Sequence, residues 1–154
     1  MTVRIQDLLG GVWKGEGRGS YPTIQSFRYS ETTSFNHVGK PWISFAQSTK
    51  SMESETPLHS ESGFIRLLPE GVVEVVVAHA FGIVEIYSGT ILETEGHFVL
   101  DLKSTTVNSS PSAKVVESTE RLIEVYPDLL RYRFSMAIPG HPTQLHLEAE
   151  LKRA

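Results

Sequence analysis

Cysteine is absent from this 154-residue chain. That absence excludes disulfides, thiolate nucleophiles and Cys-ligated zinc or iron–sulfur centres, and it suits a reducing compartment such as the cytoplasm. No apolar run reaches membrane-spanning length. The opening Met1-Thr2-Val3-Arg4-Ile5-Gln6-Asp7 lacks the charged, apolar and small-residue order of a secretory signal. Thr2 stands where N-myristoylation needs glycine. Basic residues are scattered singly and the formal net charge is −4, which leaves no nucleic-acid footprint. Neither a G-x-S-x-G elbow nor an H-E-x-x-H or H-x-H pattern occurs. Without cysteine, a zinc site would have to be assembled from clustered histidines and carboxylates, and the missing patterns argue against zinc catalysis. The expectation is one cytoplasmic domain, residues 1–154, without membrane or nucleic-acid partners.

What the chain does have is strand signal. Gly11, Trp13, Gly15, Gly17 and Gly19 recur at period two, the spacing of one strand face. A glycine-lined face marks a barrel corner, or a place where another backbone or a flat ligand comes close. Further strands are expected at Phe27 to Phe35, Trp42 to Lys50, Gly63 to Leu68, Val72 to Ala80, Ile83 to Leu92, His97 to Lys103, Lys114 to Val125, Leu129 to Ile138 and Gln144 to Lys152. The polar segments Ser51 to Ser60 and Thr105 to Ala113 read as loops. Only Val3 to Leu9 reads as helical, and it is short enough to be a plug. Ten strands joined by short turns predict an all-β, up-and-down antiparallel barrel with one short N-terminal helical turn.

Side-chain parity locates the interior. Val73, Val75, Val77 and His79 share one face, and Leu130, Tyr132, Phe134, Met136 and Ile138 share another. On the last strand Leu145, Leu147, Ala149 and Leu151 form the apolar face, which would put His146 outside unless a bulge intervenes. Of the six histidines, His97 and His141 read as surface residues beside turns, and His37 as a turn residue. The carboxylates Glu31, Glu61, Glu74, Glu85, Glu117, Glu120, Glu148 and Glu150 alternate with apolar residues and read mostly as solvated outer positions.

Five stretches in order resemble the nitrobindin family of haem-binding β-barrels. They are Gly11-x-Trp13-x-Gly15-x-Gly17 with Tyr21-Pro22-Thr23-Ile24; Phe35-x-His37-Val38-Gly39-Lys40-Pro41; Leu58-His59-Ser60-Glu61-Ser62-Gly63-Phe64-x-Arg66; Glu74-Val75-Val76-Val77-Ala78-His79 with Gly82-x-Val84-Glu85-x-x-x-Gly89; and His146-Leu147-x-Ala149-x-Leu151. The resemblance implies a ten-stranded barrel with one haem b per chain in a shallow pocket near the mouth. It assigns His146 as the axial ligand of the iron, which requires that residue to turn inward, and Thr23 as a haem contact. Leu58, His59, His79 and Met136 fall at positions like the distal or haem-flanking pocket, and His37 is a further candidate contact. The implied chemistry is nitric oxide binding and isomerisation of peroxynitrite to nitrate, with His59 or His79 donating a hydrogen bond. Two other functions fit the same sequence: a nitric oxide carrier or sensor without turnover, and a lipocalin-like carrier of an apolar small molecule. Whether the chain is a monomer or a homodimer stays open.

Overall fold

The computed structural model describes residues 3–154. A five-residue helix α1 (Ile5–Leu9) precedes ten strands: β1 (Gly11–Tyr21), β2 (Ile24–Asn36), β3 (Trp42–Ser51), β4 (Pro57–Leu67), β5 (Val72–His79), β6 (Ile83–Thr94), β7 (His97–Ser109), β8 (Ser118–Val125), β9 (Leu130–Ile138) and β10 (His141–Arg153). They close into a barrel in the order β1-β10-β9-β8-β7-β6-β5-β4-β3-β2. Every neighbouring pair is antiparallel. Closure leaves no sheet edge unpaired, and the expected architecture is the observed one.

Two of the expected loops are largely strand. Only a turn at residues 52–56 separates β3 from β4, so Pro57 to Ser60 belong to β4. β7 continues to Ser109, because Ile86 faces Thr106 while Tyr87 faces Ser104, and the surplus Thr105 forms a bulge that carries the pairing onward. In the other direction, β8 begins at Ser118 rather than Lys114.

The two ends of the barrel differ. At one end α1 packs Ile5, Leu8 and Leu9 into the core. Trp13, fully buried, donates from Nε1 to the Leu9 carbonyl at 2.7 Å. The Arg153 guanidinium lies 4.4 Å from the Trp13 ring centre and donates to the carbonyls of Gly10, Leu8 and Pro127. These bonds satisfy carbonyls that a short helix leaves orphaned. The helix therefore stoppers the barrel, and the opposite end, where β1–β2, β3–β4, β5–β6 and β9–β10 turn, is the mouth.

The glycine face of β1 is filled by protein. A Cβ at Gly17 would stand 2.3 Å from the Tyr29 ring, and one at Gly19 would stand 2.3 Å from the Phe27 ring. Both rings come from β2 and lie over the bare strand. The close approach expected there is thus made by neighbouring aromatic side chains, and no flat ligand is needed to explain it.

Replacing Trp13 with alanine should remove both the stopper's anchor and the largest fully buried side chain. A loss of about 3–5 kcal/mol is expected, read as a lowered urea midpoint; an unchanged midpoint would show that α1 does not depend on this contact.

Candidate functional site

His146 sits where β10 carries one residue too many. Leu145 faces Ser135 and Leu147 faces Phe134, so His146 has no partner on β9 and forms a bulge. A bulge shifts the side-chain alternation by one position. His146 and Leu147 consequently both lie inside, and Leu145 shares the outer parity of Ser135. This corrects the strict-alternation reading for both His146 and Leu145.

Around the imidazole stand three aromatic rings. Tyr21 lies 5.5 Å away nearly edge-on, Phe134 6.1 Å and Phe27 6.5 Å. Nδ1 is 3.0 Å from the Ser20 carbonyl oxygen. A carbonyl only accepts, so Nδ1 carries the proton and Nε2 keeps its lone pair. Among the described residues nothing hydrogen-bonds Nε2. Burial lowers the His146 pKa below its ordinary value, outweighing the opposing pull of the Ser20 carbonyl, and His59 is near enough for its charge to lower it further. The ring is therefore a neutral, oriented base. It borders a cavity of about 610 Å³ lined by Gly19, Ser20, Phe27, Met52 and Leu147 among others, within the size range of small-molecule sites.

Deeper in the barrel lies a polar cluster that parity reasoning on the carboxylates missed. Glu31, Glu61 and Glu85 are buried, not solvated. Arg121 on β8 donates from Nη1 to Glu61 Oε2 at 2.8 Å and from Nε to the Tyr87 hydroxyl at 2.9 Å. Thr119 donates to Glu85 Oε2 at 2.8 Å. His79 Nδ1 is 3.1 Å from His59 Nε2, and His59 Nε2 is 3.4 Å from Glu61 Oε1. Burial pushes the Glu61 pKa up, but the Arg121 charge and the contacts of His59 and His79 overcome it and hold the carboxyl well below its usual range. Glu85 is likewise lowered, burial being outweighed by His79 and Arg121. Glu31 has no such cation. Burial raises its pKa despite hydrogen bonds from Tyr132 and Thr33, and the Tyr132 hydroxyl also meets that of Tyr29 at 2.7 Å.

The remaining sequence candidates divide between the two ends. Thr23 is exposed in the β1–β2 turn at the mouth. Leu58 is the surplus residue of a second bulge, since Thr49 faces His59 while Lys50 faces Pro57. It lines a smaller cavity of about 280 Å³ together with Thr49, His59 and Ala80. Met136 faces Thr119 and Gln144 at the inner parity of β9, and its carbonyl accepts from the Tyr21 hydroxyl at 3.0 Å. His37 is not brought to this group. It lies at the stoppered end, with Nε2 3.3 Å from Asp7 and Nδ1 accepting from the Gly39 amide.

A bulged, neutral histidine with a free Nε2 in an aromatic mouth is what an axial haem ligand requires. The model of the THAP4-like, heme-binding β-barrel domain family matches residues 4–153. The chain belongs to this family. Among its relatives, a protein named peroxynitrite isomerase 2 from Mycobacterium ulcerans is 42% identical over 143 residues, covering 93% of this chain and 89% of that protein. A peroxynitrite isomerase from Nocardia farcinica is 38% identical over 93% of this chain and 85% of its own length. The crystal structure of Rv2717c from M. tuberculosis superposes with a TM-score of 0.93 at 40% identity, over 97% of this chain and 95% of that one.

Haem is the family's cofactor, and the mouth of this member fits it: one unpartnered ring nitrogen, three aromatic rings around it, and an open cavity where Phe27, Met52 and Leu147 stand beside the charged Arg18, Arg28 and Glu148. Arg121 and Glu85 are the residues beneath it that sequence reasoning assigned no role. A signal for both existed. Arg121 shares the parity of buried Thr119 and Val125, and Glu85 that of buried Tyr87.

The buried Glu61–Arg121 pair makes stability pH-dependent with a definite sign. Glu61 titrates lower in the folded chain than its ordinary value of 4.5, so the unfolded chain takes up a proton first on acidification. Its contribution is complete above pH 4.5 and is lost as pH falls. Glu61→Gln should cost about 3–5 kcal/mol at neutral pH by leaving Arg121 unpaired. The variant should also flatten the acid limb of stability against pH by up to about 1.4 kcal/mol per pH unit. Urea midpoints from pH 7 to pH 3 test this, and an unaltered acid slope would count against the assignment.

Proposed function

We propose that this protein holds one haem b per chain on His146 Nε2 and isomerises peroxynitrite to nitrate, with nitric oxide as a second ligand of the same site. The observation that carries the reading is the β10 bulge, which presents a neutral imidazole with its Nε2 lone pair unspent. The curated relatives named peroxynitrite isomerase, at about 40% identity over most of the chain, supply the reaction. Family membership also favours this reading over a lipocalin-like carrier.

When bound, the haem supplies a ferric iron that acts as a Lewis acid toward the anionic oxygens of peroxynitrite. The chain's own residues do the rest. The Ser20 carbonyl fixes the His146 tautomer and raises the basicity of Nε2, as outer partners of metal-ligating histidines do. Tyr21, Phe27 and Phe134 surround the His146 ring and orient it, and Phe27 also lines the cavity. Thr23 and Met136 flank the mouth. Leu58 and His59 reach the interior from the bulged start of β4. His59 Nε2 and His79 Nδ1 hydrogen-bond each other, and Glu61 and Arg121 keep that pair in place, so that a donor to the reacting anion would come from a ring nitrogen outside this bond, His59 Nδ1 or His79 Nε2. A cytoplasmic setting, which a cysteine-free chain suits, completes the proposal.

Absorption spectra of haem-reconstituted wild type and His146→Ala, with and without nitric oxide, are the direct test. Wild type should show a histidine-ligated Soret band that shifts with nitric oxide, and the variant should lose it. Stopped-flow peroxynitrite decay should be accelerated by wild type only. His59→Leu/His79→Leu should keep haem and slow the decay by about tenfold or more. An identical Soret band in His146→Ala would overturn the axial assignment, and unchanged decay in the double variant would remove the two histidines from the reaction.

A further inference from the structure

The cluster below the mouth has donors that the haem reading does not use. His59 Nε2, His79 Nδ1 and Glu61 Oε1 form a triangle with sides of 3.1, 3.4 and 3.9 Å. The point equidistant from all three lies about 2.0 Å from each, which is the bond length of zinc to imidazole nitrogen and carboxylate oxygen. Three strands' worth of backbone fixes this triangle, since His59 and Glu61 lie on β4, His79 on β5, and Arg121 on β8 holds the second oxygen of Glu61.

We propose that His59, Glu61 and His79 form a second, non-haem metal site that takes a divalent transition-metal ion of the zinc class. Two imidazoles and one carboxylate are a complete protein donor set for such an ion, with a fourth position left for water or a small anion.

Three further observations point to a cation. His59 Nδ1 and His79 Nε2 are both buried without a hydrogen-bond partner, and the His79 side chain is only 8% exposed. Unpaired buried nitrogens are costly unless a further ligand settles the tautomers. A metal does so: it takes His79 Nδ1 and His59 Nε2, and the proton shared between them moves to the far nitrogens. His79 Nε2–H then faces Glu85 Oε1, which lies 3.2 Å away but is not aligned for a bond as the ring stands. That carboxylate–histidine–metal order is the usual outer arrangement of zinc-binding histidines. Thr119 in turn holds Glu85. Finally, Arg121 pairs with Glu61, whereas Glu85 is held by Thr119 and makes no ion pair with an arginine or lysine among the described residues.

This inference does not rest on haem binding. The test uses the full chain, haem-free and haem-reconstituted, titrated with Zn²⁺ against a chromophoric chelator, and with Co²⁺ as a coloured substitute. Wild type should take up one ion per chain and give the intense visible bands of four-coordinate cobalt. His59→Gln and His79→Gln should abolish stoichiometric uptake. Glu85→Gln should weaken it by roughly tenfold to a hundredfold. His146→Ala should lose the Soret band yet keep its zinc, which separates this site from the haem ligand. No saturable uptake by wild type, or equal uptake by both histidine variants, would overturn the proposal, and neither outcome would bear on the Soret result.

Discussion

The surplus residue on β10 is the constraint from which the mouth follows. In a closed antiparallel barrel every side chain is committed to inside or outside by its position in the ladder. Residues Ala149 and Leu151 are fixed inside by the core. Counting back by twos from them would place Leu147 and Leu145 inside and His146 in solvent. The bulge breaks the count between Leu145 and Leu147, so that His146 enters beside Leu147. The ring then finds the Ser20 carbonyl across the β1–β10 seam, and its tautomer is set. One inserted residue thus determines position, protonation and orientation together.

The interior beneath holds buried Glu31, Glu61, Glu85 and Thr119, and its charges are paired around one residue. Arg121 is the hub. It pairs with Glu61, bonds Tyr87, and lies 5.0 Å from the Tyr87 ring centre and 5.1 Å from that of Phe134. Phe134 also borders His146. The ionic cluster and the haem-side aromatic wall therefore share a residue, which gives a physical route by which the state of one could alter the other. Glu31 solves the same burial problem differently. With no cation near, it accepts from the Thr33 and Tyr132 hydroxyls, and burial raises its pKa.

Much of the fold was legible from parity alone. Val73, Val75 and Val77 are buried as their alternation requires, and ten strand signals became ten strands. The misreadings share one cause. Each lies at a bulge or on a strand whose inner face is polar. Pro57 to Ser60 read as loop because the segment is polar and carries Pro57, and Thr105 to Ser109 because it is rich in serine and asparagine; in the structure both continue a strand past a bulge, at Leu58 and at Thr105. Glu31, Glu61 and Glu85 read as outer positions on residue type, although each shares parity with a buried residue: Tyr29 and Tyr87 two positions from Glu31 and Glu85, and Ile65 four positions from Glu61.

By itself, the sequence determined the strand count, the antiparallel closure, the plug at one end and, through its five motif blocks, the family. Those features depend on local spacing and on short turns, which are written in neighbouring residues. Only the tertiary structure decided that Phe27 and Tyr29 fill the glycine face, that His37 stands at the stoppered end, and that His59, Glu61, His79 and Arg121 meet. These residues come from three strands, and Glu61 and Arg121, which pair directly, are 60 positions apart. Their meeting is a consequence of barrel register, which no local pattern encodes.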